Sequence, residues 1–139
     1  MRELAIRNEQ ETRAFALDLA KDLKPGAVIG LTGNLGTGKT TLTRYIAEGL
    51  GIDEPVQSPT FTIVREHLSG RLPLYHFDVY RIDDPEDLFE TGYEDYFYGD
   101  GVTVVEWADK IKDLMPEDTR WIHLEYGDTD EGRRYRCSF

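Results

Sequence analysis

The sequence has one cysteine, Cys137, so no disulfide can close within the chain, and its three histidines show no spacing that would make a metal site with it. A reducing, cytoplasmic compartment is the expectation. Long apolar runs are missing as well. None approaches the roughly 18 residues of a membrane span, and the chain does not open on a charged-then-apolar leader, which predicts a soluble protein without a membrane partner. Basic residues are scarce: 16 Lys and Arg stand against 27 Asp and Glu, a net charge of −11. Nonspecific affinity for nucleic acid comes mainly from Lys and Arg neutralising phosphates, so broad direct contact with RNA is disfavoured and any link to it would run through a partner. Internal repeats and low-complexity segments are absent, and 139 residues suit one domain spanning 1–139, with no room for a second core.

What the chain does have is Gly33-Asn34-Leu35-Gly36-Thr37-Gly38-Lys39-Thr40, which fits the phosphate-loop pattern G-x-x-x-x-G-K-[ST] without mismatch. The apolar run 27–31 precedes it and an amphipathic stretch begins at Lys39, the strand, loop and helix that the motif requires. A triphosphate carries several negative charges, which converging backbone N–H groups, the positive end of a helix and one ammonium can neutralise together. Lys39 would reach the β- and γ-phosphates, and the Thr40 hydroxyl would ligate Mg²⁺.

Around this loop the sequence predicts a strand over 2–7 and a helix over 9–23 with Asn8 as its cap, Glu11 as the reciprocal acidic partner, and Phe15, Leu19 and Leu23 in one apolar row. A strand follows over 27–32, then a helix over 39–50 that Gly51 ends. Pro55 and Pro59 exclude helix from the loop 53–60, and Pro59 holds Ser58 extended. The runs 60–67 and 72–80 read as a hairpin joined by Ser69-Gly70-Arg71. Asp84-Pro85 caps a short helix over 85–91, a tyrosine- and acid-rich connector spans 93–101, and the continuous apolar run at 102–107 reads as a buried strand. Runs near 119–126 and 133–138 form a closing antiparallel pair. The fold class expected is α/β: a single-domain P-loop NTPase with a mixed parallel and antiparallel central sheet flanked by helices.

Binding phosphate is not hydrolysing it; hydrolysis also needs a second carboxylate near Mg²⁺ and a group that orients water. Asp78, after the run 74–77, is a candidate to help hold Mg²⁺, with a turn into Arg81 as its plainer role. Glu106 ends the buried run 102–105, where a carboxylate points into the crevice at the strand ends; it is the second candidate for Mg²⁺ or water, with a solvated strand end as the alternative. Trp107 beside it would stack on a ligand or fill core. Thr60, after the stiff Ser58-Pro59, would offer its hydroxyl to Mg²⁺ or the γ-phosphate, or else cap a strand start. His67, His76 and His123 lie in strand-like runs without metal spacing and read as structural. The aromatic, acidic stretch from Phe89 to Tyr98 reads either as a partner surface or as a packed connector.

In order and spacing, the segments 33–41, Ser-Pro-Thr-Phe-Thr (58–62), Tyr-His-Phe-Asp-Val-Tyr-Arg (75–81), Asp-Pro-Glu-Asp-Leu (84–88), Asp-Tyr-Phe (95–97), Val-Glu-Trp (105–107) and Glu-Gly-Arg (131–133) resemble the TsaE (YjeE) family, bacterial ATPases that take part in making threonylcarbamoyladenosine on tRNA. The resemblance implies ATP and Mg²⁺ as ligands. Residues 36–41, including Gly36, Thr37, Gly38 and Thr41, would wrap the ATP phosphates; Thr40 and Glu106 would hold Mg²⁺; Asp78 would be the acidic residue of the second nucleotide motif. Thr60 matches the family's switch-like threonine, while Asn8, Thr12 and Arg133 match positions near the nucleotide base. The implied partners are TsaB and TsaD, which transfer a threonylcarbamoyl group to adenosine 37 of tRNAs reading ANN codons, with tRNA met through that complex. Two positions depart from the family: Thr37 replaces the commoner alanine, and Ala108 stands where proline usually follows Val-Glu-Trp, which predicts a looser turn after Trp107.

The competing enzyme reading is a small-molecule or nucleoside kinase, because the same loop serves transfer to an acceptor. It lacks support from an arginine-bearing lid: Arg65, Arg71 and Arg81 are scattered. A GTP-dependent switch is disfavoured, since Asp109-Lys110 is not part of an Asn/Thr-Lys-x-Asp guanine signature.

Overall fold

The computed structural model describes residues 2–59 and 62–139. Seven strands, β1 (Arg2–Ile6), β2 (Val28–Gly33), β3 (Val64–His67), β4 (Leu74–Asp78), β5 (Val102–Glu106), β6 (Arg120–Tyr126) and β7 (Arg133–Cys137), form one sheet in the order β1-β7-β6-β2-β5-β4-β3. The middle is parallel: β2 pairs with β5 and β6, and β5 with β4. The rims are antiparallel, β3 on β4 and β7 between β6 and β1. The mixed α/β architecture is therefore as the sequence predicts. The hairpin is only partly so, because β4 is an inner strand, parallel to β5, and only β3 is an added antiparallel edge.

Strand alternation divides the core between the two faces of the sheet. On one face α1 (Glu9–Asp22) and α2 (Lys39–Gly49) bring Ala16, Leu19, Ala20, Leu42 and Ile46 onto Ile29, Leu31, Leu74, Val102, Val104, Ile122 and Leu124. On the other, Tyr75, Phe77, Leu88, Phe97, Val105, Ala108 and Ile111 pack together. His76 and Asp78 share a side of β4 with Leu74, and Glu106 shares a side of β5 with Val102 and Val104, so all three belong to the α2 face. Burying Leu42 and Ile46 completely is what fixes α2, and hence the loop before it, above the ends of β2 and β5; each such side chain contributes about 1.5–3 kcal/mol.

Several expected boundaries move. Of the strand expected over 60–67, residues 60 and 61 lie outside the described residues and the strand itself runs Val64–His67; Ile63 before it has φ of 69°, left-handed backbone that does not continue a strand, and its N–H donates to the Pro59 carbonyl. The connector 93–101 contains α3 (Tyr93–Phe97), whose Phe97 anchors it in the second core, while Phe89 and Tyr98 are exposed. Residues Ala108–Leu114 form two short 3-10 turns separated by a kink at Ile111 (φ −124°), which periodicity did not reveal. The turn after Trp107 is closed rather than loose: Ala108 is fully buried and the Lys110 N–H donates to the Trp107 carbonyl at 3.0 Å. Glu11 also differs from expectation, accepting from the Arg7 N–H at 2.8 Å while Asn8 Oδ1 caps the Glu11 N–H at 3.0 Å. Among the described residues no helix is long and apolar enough to cross a membrane.

Candidate functional site

The parallel strands β2, β5 and β4 end side by side at Gly33, Glu106 and Asp78, with Glu106 opposite Leu31 and Asp78. Ligands of open α/β sheets bind beyond such carboxyl ends. The loop 33–38 crosses this edge and feeds α2. Gly33 takes φ of 135° with the Leu124 carbonyl packed against the space a Cβ would fill, so only glycine leaves β2 in this direction. Gly38 takes φ of 102° at the α2 cap. No side chain caps that end and its first turn holds no acidic residue, so the positive end of the helix dipole is left for an anion.

Lys39 is buried, and its Nζ donates to the Gly33 and Asn34 carbonyls at 2.7 and 2.9 Å while lying 4.0 Å from the centre of the Trp107 ring. Burial pushes this ammonium below the usual lysine pKa, against the pull of Glu106, Asp109 and Asp78. Trp107 reaches it from a left-handed backbone conformation, φ 63°, and its ring also meets that of Tyr80, centres 4.7 Å apart. Trp107 thus packs partly against the second core, as one of its expected roles has it, while lining the cavity and covering the lysine.

The carboxylates are held by hydrogen bonds. Thr40 Oγ1 donates to Glu106 Oε1 at 2.8 Å, and His76 Nε2 lies 2.5 Å from Glu106 Oε2. Asp78 accepts from the Ser58 hydroxyl on one oxygen and from the Tyr80 N–H at 3.0 Å on the other. It therefore makes the turn foreseen as its plainer role while sitting in the same cavity as Lys39, Thr40 and Glu106, a space of about 440 Å³. Glu106 is 2% exposed, not a solvated strand end. Sequence reasoning missed His76 and Ser58 as parts of this constellation. The only available signal for His76 was its position two residues before Asp78, on the same side of a strand.

A second cavity, about 300 Å³, opens on the other side of the loop and is lined by Thr12, Thr37, Gly38, Thr41, Arg133 and Tyr135, among others. Thr12 Oγ1 and the Tyr135 hydroxyl share a hydrogen bond of 3.2 Å, and burial pushes the Tyr135 phenol up. Arg133 Nε donates to the Thr37 carbonyl at 3.1 Å, and its guanidinium stands 5.1 Å from the Tyr126 ring centre. Tyr126 in turn donates to the Leu35 carbonyl at 2.5 Å, so β6 and β7 both brace the loop. Of the residues expected near the nucleotide base, Thr12 and Arg133 line this cavity, joined by Thr37, Gly38 and Thr41, which were expected around the phosphates. Asn8 does not line the cavity, its side chain being engaged as the helix cap. Thr60 falls outside the described residues.

Among the described residues no three His, Cys, Asp or Glu side chains gather as a preformed metal site. Two carboxylates and a threonine hydroxyl beside a phosphate loop suit Mg²⁺, which keeps waters and takes phosphate oxygens rather than an all-protein cage. Thr40, Asp78 and Glu106 are the groups within one cavity that would hold it.

Known proteins are similar to this chain in sequence and in fold. A family model described as "Threonylcarbamoyl adenosine biosynthesis protein TsaE" matches residues 6–135. A Bacillus subtilis protein named tRNA threonylcarbamoyladenosine biosynthesis protein TsaE is 50% identical over 125 residues, covering 89% of this chain and 77% of its own length. Its namesake from Treponema pallidum is 42% identical over 118 residues, covering 85% and 87% respectively. The crystal structure of Bacillus subtilis YdiB superposes with a TM-score of 0.82 at 41% identity, covering 96% of this chain and 82% of that one. By its sequence and by its fold, the chain belongs to the TsaE family.

Proposed function

We propose that this protein binds ATP with Mg²⁺ at the 33–41 loop and hydrolyses it in support of tRNA N6-threonylcarbamoyladenosine synthesis at position 37. The observation that carries the reading is the bond from Thr40 to Glu106, which joins the hydroxyl of the phosphate loop to a buried carboxylate of β5 inside the cavity that also holds Lys39 and Asp78. A cavity on each side of the loop matches a ligand with two unlike ends. The base and ribose would occupy the side of Thr12, Arg133 and Tyr135, and the γ-phosphate the side of Lys39 and Glu106.

Mg²⁺ at Thr40, Asp78 and Glu106 would supply positive charge next to the phosphates. The chain's own contributions are distinct. Lys39 would exchange its two carbonyl acceptors for phosphate oxygens, which are charged and bind an ammonium more strongly. The α2 N-terminus would stabilise charge on the transferring group. Glu106 or Asp78 would accept a hydrogen bond from the attacking water and hold it in line with the γ-phosphorus. As this water adds to phosphorus the bond to the β-phosphate oxygen breaks, leaving ADP and inorganic phosphate.

Within the pathway the protein would act as an accessory ATPase to TsaB and TsaD, reaching tRNA through them. The net charge of −11 supports this, since so acidic a chain is ill suited to hold tRNA alone. Reconstituted modification of tRNA over several turnovers, with and without this protein, tests the reading. Product formation limited to about one turnover without it, and ATP hydrolysis faster with TsaB and TsaD than alone, are expected. Unchanged hydrolysis and modification would refute the partner role, and label from the γ-phosphate on a small acceptor would favour a kinase instead.

A further inference from the structure

His76 and Glu106, 0% and 2% exposed, form a deeply buried polar pair. They come from adjacent parallel strands. His76 is opposite Val104 and Asp78 is opposite Glu106, so His76 lies diagonal to the glutamate on the α2 face of the sheet. Glu106 spends one oxygen on each neighbour: Oε1 accepts from Thr40 at 2.8 Å, and Oε2 meets His76 Nε2 at 2.5 Å. A carboxylate gripped at both oxygens from two different elements is fixed in rotation as well as position.

We infer that His76 is a positioning residue for Glu106: its Nε2–H sets the plane in which the Glu106 carboxylate faces the phosphate side of the cavity. The inference rests on the role proposed above for Glu106. The tautomer follows from burial. Nδ1 of His76 is buried and has no hydrogen-bond partner among the described residues. A neutral ring carries one proton; on Nδ1 it would leave a buried N–H donor unpaired and set a lone pair against the carboxylate, both costly. On Nε2 it donates to Oε2, and only a lone pair faces the apolar surroundings. The ring then orients the carboxylate much as outer-shell partners orient groups around metals, where losing such a partner typically costs 10–100-fold in metal affinity or activity.

The test has two arms. In the first, the full-length protein is labelled with ¹⁵N-histidine, with His76→Gln assigning the signal. Wild type is expected to show a protonated Nε2 and a bare Nδ1 at His76, and Glu106→Ala to move the Nε2 signal. A protonated Nδ1, or a signal indifferent to Glu106→Ala, overturns the proposal. The second arm compares His76→Phe, which keeps the ring volume without the donor, with His76→Gln, which restores an amide donor, in ATP titrations with and without Mg²⁺ and in steady-state hydrolysis. His76→Phe should bind ATP without Mg²⁺ within about twofold of wild type yet lose about tenfold both in the Mg²⁺-dependent gain in affinity and in kcat. His76→Gln should recover most of each. Equal losses in both variants, or a Phe variant with wild-type Mg²⁺ dependence, overturn it; a Phe variant that does not fold leaves the decision to the first arm. Wild type that binds no ATP with Mg²⁺ would sink the ATP reading of the site instead, and the tautomer measurement would still decide whether His76 orients Glu106.

Discussion

The ammonium of Lys39 lies 4.0 Å from the centre of the Trp107 ring while donating to the carbonyls of Gly33 and Asn34, so the lysine of the phosphate loop also ties the loop together. Leu35 at the tip of the loop is 70% exposed, yet Lys39 at its end is only 5% exposed. Lys39→Met is therefore expected to do two things. Calorimetric ATP affinity should fall beyond detection, because among the described residues Lys39 is the lysine that lines the cavity of Asp78 and Glu106. Thermal unfolding without nucleotide should also come earlier, by about 1 kcal/mol or roughly 4 °C, for the loss of two bonds to carbonyls offset by one fewer buried charge. An unchanged unfolding temperature would show that the two bonds contribute nothing net.

Glu106→Gln keeps the shape of the side chain and an oxygen for the Thr40 hydroxyl, and removes the negative charge. ATP binding in the absence of Mg²⁺ should stay within about threefold of wild type. Hydrolysis should fall by about 100-fold, within the range found when one preorganised group at a reacting centre is removed. Parallel loss of binding and turnover would mark Glu106 as a binding residue only.

Arg133 holds the loop from the side of the second cavity, through backbone oxygens. Its Nε donates to the Thr37 carbonyl at 3.1 Å and its Nη1 to the Asp130 and Gly132 carbonyls at 2.9 and 2.7 Å. Arg133→Ala should weaken ATP binding by about 1–2 kcal/mol, roughly five- to thirtyfold, by loosening the loop and the adjoining cavity. The rate at saturating ATP should change by no more than about threefold. A large fall in kcat with unchanged affinity would assign Arg133 to the chemistry.

The phosphate loop and the strands that end beneath it were legible because buried parallel strands write themselves as continuous apolar runs, as Val102 to Val105 do, and because the loop's glycines and lysine have fixed spacing. The hairpin of β6 and β7 was legible from its turn residues. What escaped depends on register or on very short elements. Nothing in the segment 75–81 states that β4 lies parallel to β5, and without that pairing His76 cannot be seen to meet Glu106. The five residues of α3 are too few for a helical period to show, and the left-handed turns at Ile63 and Trp107 occur at residue types that rarely adopt them.

On the second face of the sheet, Tyr75 donates to Asp100 Oδ1 at 2.9 Å, and burial, helped by that bond, pushes its phenol up to about 12. An unfolded tyrosine ionises near 10. The raised value means the folded protein keeps this proton longer, so its contribution to stability is fully present below about pH 10 and is lost as pH climbs towards about 12. The stability difference between wild type and Tyr75→Phe in urea should thus be constant up to about pH 9.5 and shrink above it. A difference that stays flat through pH 11.5 would show that the phenol ionises alike in both states.

Gly33 and Gly38 both sit at positive φ, 135° and 102°, yet their surroundings differ. A Cβ on Gly33 would meet the Leu124 carbonyl and the Thr37 hydroxyl, whereas nothing lies within 4 Å of one on Gly38. Because Leu124 belongs to β6, which pairs with β2 at this residue, the clash at Gly33 can be relieved only by moving the strand or the loop. Gly33→Ala should therefore lower stability by about 2–4 kcal/mol, summing backbone strain and overpacking. It should also weaken ATP binding, since the loop starts from a displaced strand end. Gly38→Ala should lower stability by only about 1–2 kcal/mol, the backbone strain alone. Urea titrations of the two variants side by side give the comparison. Equal losses would mean that backbone conformation governs both positions and that the Leu124 carbonyl yields freely.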